Sequence, residues 1–83
     1  ARYTAAMEAY RTASGHPNAK VDQVLQAEYK IGRCLQKLER PDEAVEQYYR
    51  RVMLRYLEDR DRGVPQSDAA RTWFGRAARD AAA

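Results

Sequence analysis

Few residues in this chain are of a type that could do chemistry on their own, and the first candidate is Cys34. A thiolate is a nucleophile or a metal ligand only when a neighbouring charge or base lowers its pKa. Cys34 falls on an apolar helix face, and the only histidine, His16, falls in a turn, so the spacing predicts a buried, inert thiol. One cysteine and one histidine cannot supply the three or four ligands of a zinc site, and a single cysteine excludes an internal disulfide. Paired carboxylates occur at Asp42-Glu43 and Glu58-Asp59. The first pair suits the positive end of a helix dipole and the second suits a solvated helix end; neither stands in the apolar cleft that raises a carboxyl pKa. Glycine-rich phosphate loops and nucleotide fingerprints are missing. The expectation is therefore no enzyme, no catalytic residues, no cofactor and no metal.

The remaining chemistry is that of arginine. Arg50, Arg51, Arg55, Arg60 and Arg62 lie near Tyr49 and Tyr56, a combination that could hold phosphate and stack bases. Glu46, Glu58, Asp59 and Asp61 interrupt that field, and 15 basic against 12 acidic residues leave a net charge of only +3. Nucleic-acid binding is accordingly a minor alternative.

The elements that must position these residues are helical. Alanine, arginine, leucine and glutamate are frequent and are good helix formers. Tyr3, Ala6, Met7, Tyr10 and Ala13 recur at helical spacing and predict a helix over 2–13, stopped by Ser14-Gly15-His16-Pro17. Gly15 suits a left-handed exit. Val21, Val24, Leu25, Ala27, Ile31, Cys34, Leu35 and Leu38 predict a second helix over 19–38, with Asn18 as its N-cap. Gly32 inside it costs about 1 kcal/mol against alanine, which makes sense where another helix backbone passes close by. Pro41 suits a first helical position, and Asp42 and Glu43 follow it in the first turn of a third helix over 41–60. The order Glu46 then Arg50 favours an ion pair across one turn. Arg60-Asp61-Arg62-Gly63-Val64-Pro65 reads as a loop, and Ser67 caps a fourth helix over 68–81. Tyr48, Tyr49, Val52, Met53 and Tyr56 cover more than one face of helix three, and Trp73 and Phe74 point in different directions. A small stack is expected to leave some of these outside, available to further units or to a second copy.

The helices repeat. Ala6 and Tyr10 are mirrored by Ala44 and Tyr48, 38 residues on, and Ile31-Gly32 with Leu35 by Phe74-Gly75 with Ala78, 43 residues on. Alternating helix types at a period near 40 mark a helical solenoid. Ile31-Gly32-Arg33-Cys34-Leu35, followed 12 residues after Gly32 by Ala44 and then by Tyr48, resembles the tetratricopeptide repeat family. The resemblance covers one full repeat, about 24–57, with a half repeat on either side. It departs at Arg51, where the family has a small residue, and at Glu39, where glycine is common.

The resemblance implies an all-α fold of about four helices in antiparallel pairs, stacked as a short right-handed superhelix. It would be one domain over 1–83, a fragment of a longer chain. A plain four-helix bundle uses the same stripes. The resemblance also implies a protein-interaction scaffold whose first helices receive a peptide or helical segment of a partner. Carried over residue by residue, the partner-binding positions are Gln26, Tyr29, Arg33, Gln36 and Lys37 on helix two, and Thr72, Arg76 and Arg79 on helix four. Arginine clamps carboxylates, so the expected partner segment is acidic. The family's carboxylate-binding members carry asparagine where Arg33 and Arg76 stand here. The alternative function is a structural spacer or oligomerisation segment, self-associating through exposed repeat ends. No apolar run approaches the roughly 20 residues needed to span a bilayer. The longer loops resemble those of repeats in bacterial envelope-associated proteins, which leaves a cytoplasmic or a periplasmic, envelope-associated setting open.

Overall fold

A computed structural model describes residues 2–82. The chain is all-α: α1 (Arg2–Ser14), α2 (Val21–Lys37), α3 (Pro41–Gln47), a π-helical segment (Tyr48–Met53), α4 (Leu54–Asp61) and α5 (Asp68–Ala82). The segments from 41 to 61 run on without a break as one rod, so there are four rods, and no strand occurs among the described residues. The principal extents are 39 × 29 × 17 Å, a slab no more than two helices thick. No described helix is long and apolar enough to cross a membrane.

Helix α2 is the hub. It packs against α1, against α3 and the π segment, and against α5. Leu25, Ile31, Cys34 and Leu35 of α2 meet Ala44, Tyr48, Val52 and Tyr56 of the third rod, with Met7 from α1 and Ala70 and Ala77 from α5. A polar bolt joins three rods at Glu28. The Gln47 amide donates to the Glu28 carbonyl and to its Oε2, both at 2.9 Å, and Ser14 Oγ stands 3.3 Å from Oε1.

Gly32 is buried, as its cost implied, but the group against it is a side chain rather than a helix backbone. A Cβ built there would stand 2.7 Å from Tyr48 Cδ1 and 2.8 Å from Cζ, and closer still to Cε1. The Tyr48 ring is fully buried and its hydroxyl donates to Gln36 Oε1 at 2.8 Å. Gly75, the mirrored glycine, differs: it is exposed and has nothing within 4 Å of a built Cβ.

The expected surplus of apolar residues on helix three is smaller than the sequence suggested. Ala44, Tyr48, Val52 and Tyr56 are each four residues apart and all buried. In a regular α-helix that spacing drifts by about 40° per step, which would carry Tyr56 off the core. The wider i→i+5 turns of the π segment slow the drift and hold all four in line. Only Tyr49 of that group is exposed, with Met53 half-buried. Trp73 and Phe74 both pack on the core, and Phe74 stacks on Tyr56 with ring centroids 4.5 Å apart. Arg51 reaches outward and is exposed.

The ends of the rods follow capping rules with two corrections. Helix α2 begins at Val21 and Asn18 does not cap it; the Asn18 N–H donates to His16 Nδ1, and Gln23 Oε1 accepts from the Lys20 N–H at 3.0 Å. Gly15 does not take the left-handed exit. That conformation is found at Gly63 (φ 81°) and, against its side chain's preference, at Glu39 (φ 58°). Glu39 closes α2 in a Schellman turn: its N–H donates to the Gln36 carbonyl and the Arg40 N–H to the Leu35 carbonyl. Gly63 and Val64 close α4 in the same way on Arg60 and Asp59. Pro41 stands at the start of α3, Ser67 Oγ accepts from the Ala70 N–H at 3.0 Å, and the Glu46–Arg50 pair forms.

Two glycine substitutions should therefore act in opposite directions. Gly32→Ala should lower stability by about 2 kcal/mol in thermal or urea unfolding, because overpacking against Tyr48 outweighs the gain in helix propensity. Gly75→Ala should raise it by roughly 1 kcal/mol, since only the propensity changes. Glu39→Gly, which removes a Cβ from a left-handed position, should also stabilise, by about 1 kcal/mol. An unchanged midpoint for Gly32→Ala would remove the nesting argument.

Candidate partner-binding face

Spacing puts Tyr29, Arg33, Gln36 and Lys37 on one side of α2, and Thr72, Arg76 and Arg79 on one side of α5. The structure gives these residues different roles. Tyr29 is buried at 7% exposure, with its ring between those of Tyr48 and Trp73 at centroid distances of 5.5 and 5.4 Å. Its hydroxyl, at the rim, donates to Asp80 Oδ2 at 2.6 Å. Arg33 reaches the same place: its Nη1 makes a long bond to the Tyr29 hydroxyl at 3.4 Å and lies 3.8 Å from Asp80 Oδ2. The hydrogen bond to Tyr29, reinforced by the Asp80 charge, moves the Arg33 pKa above its ordinary value. Arg76 lies over the Trp73 ring, 5.0 Å from its centroid.

Tyr29, Arg33 and Arg76 thus come together around one aromatic pair, while the other expected residues do other things. Gln36 is a partner of Tyr48 in the core contact. Thr72 Oγ1 donates to the Asp68 carbonyl one turn back. Lys37 and Arg79 are exposed and have no ion pair among the described residues. Gln26 makes no hydrogen bond to the cluster among the described residues; it lines an open groove of about 250 Å³ with Tyr10, Ala13, Gln23, Ala27 and Lys30.

Sequence reasoning missed Asp80 and the part played by Trp73. Asp80 is the one acid after Asp68, on a helix that carries Arg71, Arg76 and Arg79. A lone carboxylate among arginines was the available signal, but its partners lie 51 residues away on another helix.

The other candidates are accounted for by packing and pairing. Cys34 is buried, and burial pushes its thiol pKa up, away from a reactive thiolate. Burial does the same to the Tyr48 hydroxyl, with the Asp80 charge adding to it. Tyr56 is buried under Phe74 and cannot stack a base. Arg50 pairs with Glu46, Arg55 with the buried Asp59 at 3.3 Å, and Arg62 with Glu58 and Asp59 at 3.8 Å each. An open groove of about 400 Å³ beside Arg11, Arg40, Arg50 and Arg51 also contains Glu43 and Glu46, the ion-pair partners of Arg40 and Arg50. No cluster of three metal-ligating side chains occurs among the described residues.

No family model, curated protein or solved structure matches this chain. Any functional reading must come from its own residues.

Proposed function

We propose that this chain is a protein-interaction module of tetratricopeptide-like build that receives an acidic segment of a partner across the α2–α5 face. The observation that supports this reading most is the carboxylate of Asp80 held by Tyr29 and Arg33. The face grips one carboxylate already, and exposed cations surround it. Arg33 and Lys37 follow Tyr29 at four-residue steps on α2, and Arg76 and Arg79 precede Asp80 on α5 by four residues and by one. Guanidinium groups recognise carboxylates through paired, charge-assisted bonds, so an extended or helical segment rich in Glu or Asp is the fitting occupant. Helix α2 supplies a rigid base, since the Tyr48 ring is seated on Gly32 and packs against Tyr29.

A second reading, a structural or self-associating segment, is favoured by one observation. Gly75 matches Gly32 in sequence but has no neighbour, and Tyr10, which matches Tyr48, lines an open groove. A second copy could bring these together as Gly32 and Tyr48 are brought together within the chain. Nucleic-acid binding is not favoured, because the arginines near Tyr49 are largely paired and Tyr56 is covered.

The test is fluorescence anisotropy with a Glu-rich peptide at low and at physiological salt, with a Lys-rich peptide as control. The expected result is selective binding of the acidic peptide, weakened roughly fivefold by Arg33→Ala and again by Arg76→Ala, with unchanged helicity. Binding insensitive to both substitutions would remove this face from the account. Absence of peptide binding, with a mass that grows with concentration and falls back in Tyr10→Ala, would establish the self-associating reading instead.

A further inference from the structure

Asp80 is the only carboxylate in direct contact with the Tyr29–Arg33 pair among the described residues, and it binds them unequally. The phenol is held firmly, at 2.6 Å to Oδ2. The guanidinium is held loosely, through Nη1 alone at 3.8 Å to the same oxygen. Its side chain is 50% exposed, against 23% for Asp80. Arg33 therefore keeps most of its five donors toward solvent while a negative charge stands behind it. Arg76, one turn before Asp80 on α5, is not drawn to that charge and lies on Trp73 instead.

From this geometry we propose that Asp80 is a built-in competitor that sets the affinity and specificity of the face for acidic ligands, an inference that rests on the acidic-segment reading above. A ligand carboxylate arriving at the open side of Arg33 shares its guanidinium with Asp80 and feels that charge at close range. Like charges this close oppose each other, and the ligand must either displace Asp80 from Arg33 or accept a weaker bond. Tyr29 resists displacement, because its part-buried hydroxyl would lose its acceptor. Asp80 thus partly neutralises Arg33 in the free protein and selects for segments with several carboxylates, which reach Lys37, Arg76 and Arg79 as well. A single carboxylate gains little.

Asp80→Asn isolates the charge, because the amide oxygen can still accept from Tyr29 and the shape is kept. The full chain and the variant are titrated with the same Glu-rich peptide, with a peptide carrying a single Glu and with a neutral Gln-rich control, after their melting curves have been compared. The expected result is acidic-peptide binding tightened roughly three- to tenfold in the variant, the control unchanged, and the largest relative gain for a peptide with a single acidic residue. If the wild-type chain binds the acidic peptide and Asp80→Asn binds it equally or more weakly, the competitor role is overturned and the acidic-segment reading stands. If neither protein binds it, both fall. Should Asp80→Asn melt early, Asp80→Ser, which removes the charge without leaving a large unpaired group, is read by the same criteria.

Discussion

The ring of Tyr48 lies in the hollow left by the missing side chain of Gly32, and the positions of the neighbouring groups follow from that contact. Glycine in mid-helix costs about 1 kcal/mol, and the full burial of one large aromatic side chain contributes about 1.5–3 kcal/mol. The exchange is favourable only if the ring's polar end is satisfied, and Gln36, one turn beyond Gly32 on the same helix, accepts from its hydroxyl. Helix α2 therefore offers Tyr48 both a seat and a hydrogen bond, and the crossing of α2 with the third rod is fixed at that point. Tyr29 leans on Tyr48, and Trp73 of α5 leans on Tyr29. This row of three rings carries the constraint from the third rod across α2 to α5. It sets the place of the Tyr29 hydroxyl, and hence of Asp80 and Arg33.

The π segment serves the same contact. One regular helix could not keep Ala44, Tyr48, Val52 and Tyr56 all against α2 and α5, because a four-residue repeat runs ahead of the α-helical turn. Widening the helix at Tyr48–Met53 lets Tyr48 meet Gly32 while Tyr56 still reaches Phe74. Arg50 and Arg51 are consequently displayed outward together with Tyr49.

Much of the scaffold was legible in the sequence. The four rods, Pro41, the Ser67 cap and the burial of Ala44, Gly32 and Cys34 follow from apolar spacing and from local rules that need no tertiary knowledge. The π segment was not legible, since periodicity analysis assumes one fixed turn and reads a slipped stripe as a second face. Asn18 was misread because a good capping residue was present, while the loop needed its backbone for the His16 contact. At Glu39 the backbone is left-handed although the residue is not glycine, a conformation that apolar spacing does not report. The candidate face was half legible. Tyr29 and Arg33 followed from spacing and Arg76 only from the family resemblance, but whether an arginine is solvated, paired or laid on a ring depends on a distant helix. Asp80 and Trp73 decided that.

The seating of the Tyr48 ring on Gly32 can be tested at that ring. In proton NMR of the native chain, a glycine α-proton lying against a tyrosine face is displaced far upfield by the ring current. Such a shift is expected for Gly32, with nuclear Overhauser contacts from its α-protons to the Tyr48 ring, both lost on unfolding. Gly32 α-protons at ordinary helical shifts, with no contact to Tyr48, would contradict that seating.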